Sequence, residues 1–282
     1  MSKNVVVVGG GLAGLAASIY LARGGRTVTL FEKRRQLGGR AITNLRQGFR
    51  FNLGAHALYR HGAAAAAYRE LGIPADGVLA RGRGLALHGG DEHKFPGGFW
   101  SLLTTSLLSP KAKMQFAWWM AWGFRRIDPS QFASMTLREW LDANIADQRL
   151  RQVFEAFFRV FTYSDHADSE SASFALAQAK IALRGAKYLN EGWQKLVDSL
   201  HNAAVSVGVN FVSSSRIVGV HHENGAVTSV ELGGLEFGAD RMDTQAIAYP
   251  ELKPDDVEGA RIPASTVVLA IDPVTAAELV DD

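Results

Sequence analysis

The stretch Val5-Val6-Val7-Val8-Gly9-Gly10-Gly11-Leu12-Ala13-Gly14-Leu15-Ala16-Ala17 decides the fold. Four consecutive β-branched residues read as a parallel strand buried on both faces. The glycines end the strand, and Leu12 to Arg23 reads as a helix closed by Gly24 and Gly25. The run Val5 to Ala22 carries no charge and has the length of a signal or membrane segment. Three consecutive glycines make it a poor continuous helix, and no small-residue cleavage site comes after it. A short strand, a glycine turn and a helix account for it better.

Gly9, Gly11 and Gly14 fall at G-x-G-x-x-G spacing between that strand and that helix. Gly9 permits the tight turn, Gly11 lets a pyrophosphate approach the backbone, and Gly14 lets helix and strand pack closely. The helix N-terminus, with Leu12 and Ala13 in its first turn, offers free N–H groups and partial positive charge to phosphate. Arg26 to Glu32 is a second strand. Glu32 lies 18 residues beyond Gly14, close to the spacing of a carboxylate that accepts from ribose hydroxyls. The plain alternative is a glycine-rich structural turn.

Composition sets the outer limits. The chain has 282 residues, 47% hydrophobic and 21% charged, which fits a globular protein with a full core and excludes a disordered tail or rod. There is no cysteine, hence no disulfide framework, zinc–thiolate site or thiol nucleophile, and no metal site is expected. A net charge of +2 gives no reason to expect nucleic-acid binding. A reducing, cytoplasmic setting fits.

The texture divides the chain into three: residues 1–61, a first α/β segment; 62–188, a mainly helical lobe; and 189–282, where α/β texture returns. In the lobe, Thr136-Leu137-Arg138-Glu139 has capping-box form. Helices are expected at 150–161 and 172–183. In the last segment, a helix is expected over 193–205, strands over 209–220 and 226–232 joined at Asn224-Gly225, an irregular insertion over 233–263, a final strand over 265–271 and a helix opening at Pro273.

The segment after Glu32 narrows the function. Lys33-Arg34-Arg35-Gln36-Leu37-Gly38-Gly39-Arg40 precedes Thr43. A nicotinamide dehydrogenase has no use for Gly-Gly-Arg here, whereas a larger dinucleotide does, because arginine offers bidentate, charge-assisted bonds to phosphate. A solvated basic run is the competing reading. The E-x-R-x-x-x-G-G-R-x-x-T pattern resembles the flavin amine oxidase and phytoene desaturase superfamily, which includes protoporphyrinogen oxidases. The resemblance implies FAD as cofactor and an FAD-binding Rossmann-like domain of α/β class, built from separated segments, with a helical substrate lobe inserted. It implies Glu32 at the adenosine ribose, Lys33 beside it, and Arg34, Gly39 and Arg40 near ribose and pyrophosphate.

The resemblance extends to Asn52-Leu53-Gly54-Ala55-His56, with Asn52 where the family often has an acidic residue. It implies Gly54, Ala55 and His56 near the flavin. His56 is the only catalytic candidate the sequence offers, and a hydrogen-bonded structural histidine is the favoured reading. In Asn190-Glu191-Gly192-Trp193, Glu191 stands where the family has the first of two glycines. Ile217 corresponds to the strand residue whose backbone reads the adenine edge. The family pattern runs on past residue 282, so a fragment, a truncated gene, or a second polypeptide that completes the fold are each expected to explain its absence here.

The implied activity is removal of hydride from a C–H bond of an amine or apolar small-molecule substrate. The alanine- and aromatic-rich lobe favours something apolar. A nicotinamide-dependent dehydrogenase and an inactive nucleotide-binding module stay open. Phe116, Trp118, Trp119, Trp122 and Phe124, flanked by Lys111, Lys113, Arg125 and Arg126, have three readings: core packing, an apolar tunnel, and peripheral contact with a membrane surface.

Overall fold

The computed structural model describes residues 4–54, 57–79, 84–235 and 258–280. They form two compact units, residues 1–58, 63–78 and 188–282 in the first, and 59–62 and 79–187 in the second. Residues 63–78, expected in the helical lobe, pack with the first unit because the helix Ala63–Leu71 buries Ala65, Tyr68 and Leu71 in that unit's core.

The first unit is built on four parallel strands in the order Asn210–Val212, Thr27–Phe31, Asn4–Val8, Thr266–Leu269. Val6 lies opposite Thr29 on one side and Val267 on the other. Side chains alternate across a strand, so Val5 and Val7 join Leu15, Ile19, Leu196 and Leu200 in one core. Val6 and Val8 join Phe31, Ile217, Val230 and Leu279 in another. Both faces are covered, which is why the first strand is an unbroken apolar run. Each fully buried valine contributes roughly 1.5–3 kcal/mol relative to exposure.

On the second face lies an antiparallel sheet of Ser215–Glu223, Ala226–Leu235 and Glu258–Pro263. Its first hairpin turns at Asn224 and Gly225, with φ of 51° and 76°, the two left-handed residues of a type I′ turn. The single strand expected over 209–220 is two strands in two different sheets. The chain breaks at Ser214, φ 56°, where it must leave the parallel sheet. The insertion expected to be irregular over 233–263 contributes the third antiparallel strand; residues 236–257 lie outside the described residues.

The second unit centres on Trp140, whose ring meets Trp119 at 5.0 Å and lies near Phe124 and Phe158. Its helix, Leu137–Asn144, starts with the expected capping box, Thr136 accepting from Glu139 N–H and Glu139 from Thr136 N–H. The helices Gln148–Thr162 and Ala172–Ala182 close the core. A two-stranded hairpin, Leu85–His88 with Asp91–Lys94, is an element the helical texture did not predict. Among the described residues, no helix is long and apolar enough to cross a membrane.

Tyr68 supplies a test of the first core. Burial pushes its phenol up to about 12, whereas an unfolded tyrosine ionises near ~10. Between these values the folded chain holds a proton that the unfolded chain has lost, so stability is intact below about pH 10 and falls as pH rises towards about 12. Denaturant unfolding across that window should show the fall in the parent and a smaller one in Tyr68→Phe. Equal falls would place the ring in solvent.

Candidate nucleotide-binding site

Strand order reverses direction around Asn4–Val8, and in open parallel sheets ligands bind beyond the carboxyl ends of the strands at such a point. Four strand ends meet there: Gly9, Glu32, Ser213 and Ala270. Gly9 N–H donates to the Phe31 carbonyl at 2.8 Å, and Ala270 N–H to the Val8 carbonyl at 2.8 Å. Glu32 is buried, and its carboxylate bridges two loops. Oε2 accepts from Gly10 N–H at 2.7 Å and Oε1 from Arg34 N–H at 2.9 Å. Each carboxylate oxygen has a second lone pair available.

The three motif glycines have different reasons to be glycine. A Cβ at Gly14 would strike the Gly9 carbonyl, and one at Gly9 would sit 2.7 Å from the Ala270 carbonyl. These two are demanded by the fold. At Gly11 the nearest atom to such a Cβ is the Gly38 carbonyl, 3.9 Å away, and the backbone is ordinary, with φ −79°. The fold gives Gly11 no reason to lack a side chain. It caps the helix Leu12–Arg23, whose first-turn N–H groups, including those of Leu12 and Ala13, have no carbonyl partner within the helix.

A second glycine loop lies against the first. Gly38 N–H donates to the Gly10 carbonyl at 2.8 Å, Gly11 and Gly38 form a parallel bridge, and a Cβ on Gly39 would sit 3.6 Å from the Gly11 Cα. Arg40 follows in a one-turn 3₁₀ helix, Gly39–Ala41, and its side chain is exposed beside the two loops. Lys33 and Arg34 are exposed too. Lys33 lies within electrostatic reach of Asp272. Hydrogen bonds from the Thr275 N–H and hydroxyl hold that carboxyl below the usual range, and it caps the helix Pro273–Val280.

Gly54 packs on the Arg40 turn, where its Cβ would strike the Arg40 carbonyl, and Leu53 N–H donates to Ile42 at 3.0 Å. Ala55 and His56 lie outside the described residues. Ile217 is buried with Val6, Val8 and Phe31; two residues before it, Ser215 N–H donates to the Glu32 carbonyl at 3.0 Å. No cluster of His, Cys, Asp and Glu able to hold a metal occurs among the described residues.

A polar clamp behind these loops was not read as one from sequence. Asn52 Oδ1 accepts from the Thr43 hydroxyl at 2.6 Å and from Trp193 N–H at 3.3 Å. The Thr43 hydroxyl accepts from Gln194 N–H at 3.1 Å. The hairpin Thr43–Arg46 with Phe49–Asn52 is thereby joined to the start of the helix Gln194–Ser206. Asn52 fills this place as an acceptor, without charge. Glu191 adopts φ 65°, the left-handed conformation its glycine counterpart would take without strain. A Cβ at Gly192 would press on Thr43 and Asn52, at 2.8 and 3.0 Å. The signal in the sequence was the spacing Thr43…Asn52…Gly192-Trp193, legible only once the three segments are known to meet.

Residues 7–71 match the profile of the NAD(P)-binding Rossmann-like domain. One of the subunits of limonene dehydrogenase from Castellaniella defragrans is 45% identical over 77 residues, 27% of this chain and 14% of that protein. Carotenoid 3,4-desaturase of Haloarcula japonica is 54% identical over 52 residues, 18% of this chain and 10% of that one. The solved structure of a putrescine oxidase superposes with a TM-score of 0.69 at 18% identity, over 100% of this chain and 61% of the other. Over part of its length the chain is similar in sequence to these dehydrogenase and desaturase proteins, and it shares its fold with the putrescine oxidase structure. It spans about 61% of the length of that solved relative, and the matched segments span far less of the curated ones.

The contrast among the glycines is testable. Gly14→Ala should destabilise the chain by about 1–3 kcal/mol through overpacking, read as a lower denaturant midpoint. Gly11→Ala should leave the midpoint unchanged while weakening binding of an adenine dinucleotide. Equal loss of stability in both variants would make Gly11 a packing residue and remove the argument for a ligand there.

Proposed function

We propose that the chain binds FAD and forms the cofactor-binding part of an oxidoreductase that removes hydride from a C–H bond of an apolar substrate. The observation that carries this reading is the open space at Gly11, enclosed by two glycine loops and a helix N-terminus, with the Glu32 carboxylate fixed alongside. Glu32 would accept from the adenosine ribose hydroxyls. The first-turn N–H groups and Arg40 would meet the pyrophosphate, and the Ile217 backbone would lie along the adenine edge. The bound flavin would supply the hydride acceptor; this chain's residues bind it, orient it and neutralise its phosphates.

Two features favour FAD over a nicotinamide cofactor. The second glycine loop and Arg40 add a phosphate-facing surface that a nicotinamide dinucleotide does not require. The buried Glu32 carboxylate would repel the 2′-phosphate of NADP. For the substrate, the curated relatives are named for limonene and for a carotenoid, both largely apolar. An amine is the second class, in line with the likeness to putrescine oxidase.

The purified chain should show flavin bands in the visible, alone or after reconstitution with FAD, and should reduce an artificial electron acceptor with an apolar donor. Tighter binding of NADP than of FAD would overturn the cofactor assignment. Visible flavin without turnover would reduce the chain to a binding module. Arg40→Ala should weaken FAD binding roughly tenfold to a hundredfold, the effect of losing a charge-assisted bond of about 1.5–3 kcal/mol. Unchanged affinity would place Arg40 on the solvent side.

A further inference from the structure

The second unit carries an aromatic and basic surface that the nucleotide site does not use. The chain runs from Pro110 to Arg126 as continuous helix, α-helical over Pro110–Trp118 and Phe124–Arg126 with a π turn, Trp119–Gly123, between. One face is core: Ala112, Phe116, Trp119 and Phe124 are buried. The other presents Met114, Trp118 and Trp122 at four-residue spacing, all exposed. The π turn takes up an extra residue and keeps Trp122 near the stripe set by Met114 and Trp118. A neighbouring helix, Phe99–Thr104, has no buried residue and adds Phe99, Trp100 and Leu103. Lys113 Nζ ties the two helices by donating to the Leu103 carbonyl at 2.9 Å.

These side chains are held, although exposed. The Trp118 ring stands edge-on against buried Trp119 at 4.9 Å, Phe99 against Trp100 at 5.4 Å, and the Arg126 guanidinium lies over the Trp122 ring at 5.1 Å. Within this stretch of sequence the charges have one sign. Between Glu92 and Asp128 the sequence contains no carboxylate and has Lys94, Lys111, Lys113, Arg125 and Arg126. Among the described residues, no carboxylate forms an ion pair with Lys111, Arg125 or Arg126.

We infer that this surface docks on an anionic lipid bilayer, with Trp100, Trp118 and Trp122 at headgroup depth and the cations on lipid phosphates. Tryptophan favours that boundary because its ring is apolar and its N–H polar. Partition into it scales with apolar area plus attraction to anionic lipid. The ionised side chains of the Pro110–Arg126 helix are all cationic, which favours an anionic surface over a partner of mixed charge. The inference is independent of the cofactor assignment, since no residue of the nucleotide site takes part.

The whole chain should co-sediment with vesicles of phosphatidylcholine mixed with phosphatidylglycerol, much less with phosphatidylcholine alone, and salt should release it. Trp118→Ala with Trp122→Ala should lower partition by about tenfold or more. Lys111→Gln and Arg125→Gln should each lower it by about fivefold, the equivalent of ~1 kcal/mol per cation. Brominated lipid should quench the exposed tryptophans, 75%, 54% and 55% accessible at Trp100, Trp118 and Trp122, and spare buried Trp119, Trp140 and Trp193. Because Lys111 and Arg125 are exposed, the melting temperature should not move in their two variants. Equal partition of parent and double-tryptophan variant, equal binding to neutral vesicles, or a concentration-dependent dimer in which lipid no longer quenches the exposed set would each overturn the inference; the last would assign the surface to a second copy of the chain.

Discussion

The Glu32 carboxylate fixes the geometry of the loops at the candidate nucleotide site. It is buried at the end of the second strand and takes one N–H from the first glycine loop and one from the segment that leads to the second. A buried carboxylate without such bonds would be costly; with them it becomes a strut between Gly10 and Arg34. The Glu32 backbone extends the strut, receiving Ser215 N–H and donating to Val212. Three segments far apart in sequence are thereby held at one end of the sheet. The residue that would recognise a ribose is the same one that spaces the loops around it.

Packing then separates what the fold requires from what a ligand requires. Gly9 and Gly14 allow backbone to touch backbone, and Gly54 lets its loop rest on Arg40. Gly11 touches nothing of the kind: the nearest atom to a Cβ there is 3.9 Å away. Behind the loops, Thr43 and Asn52 hold the helix Gln194–Ser206 by its first N–H groups. Glu191 sits in a left-handed conformation to make that junction, at a cost of roughly 1–2 kcal/mol. Strain of this kind persists only where surrounding contacts fix it.

Much of this was legible in the sequence because local chemistry and tertiary placement agree. The valine run, the glycine spacing, Glu32 and the capping box at Thr136 each state their role within a few residues. The Asn224-Gly225 turn does so as well. Other features depend on contacts between distant segments. Nothing local marks Ser214 as the point where one strand becomes two, since three serines neither favour nor break a strand decisively. The alanine-rich helix at 63–71 resembles the lobe in composition and differs from it only in where Tyr68 and Leu71 are buried. Asn52 reads as the loss of a charge until its acceptor role at Thr43 and Trp193 is seen. The tryptophans at 118 and 119 look alike in sequence, yet one is core and one is surface, because a helix turns each neighbour by about 100°.

The cofactor reading requires the site to take the adenosine diphosphate half of a dinucleotide with a free 2′-hydroxyl. Calorimetric titration of the parent chain with ADP and with its 2′-phosphorylated counterpart probes that shape at the carboxylate itself. ADP should bind, the 2′-phosphate should abolish binding through repulsion by Glu32, and Glu32→Gln should narrow the difference between the two ligands. Equal affinity of the parent for both would contradict the role given to Glu32 and, with it, the nucleotide site.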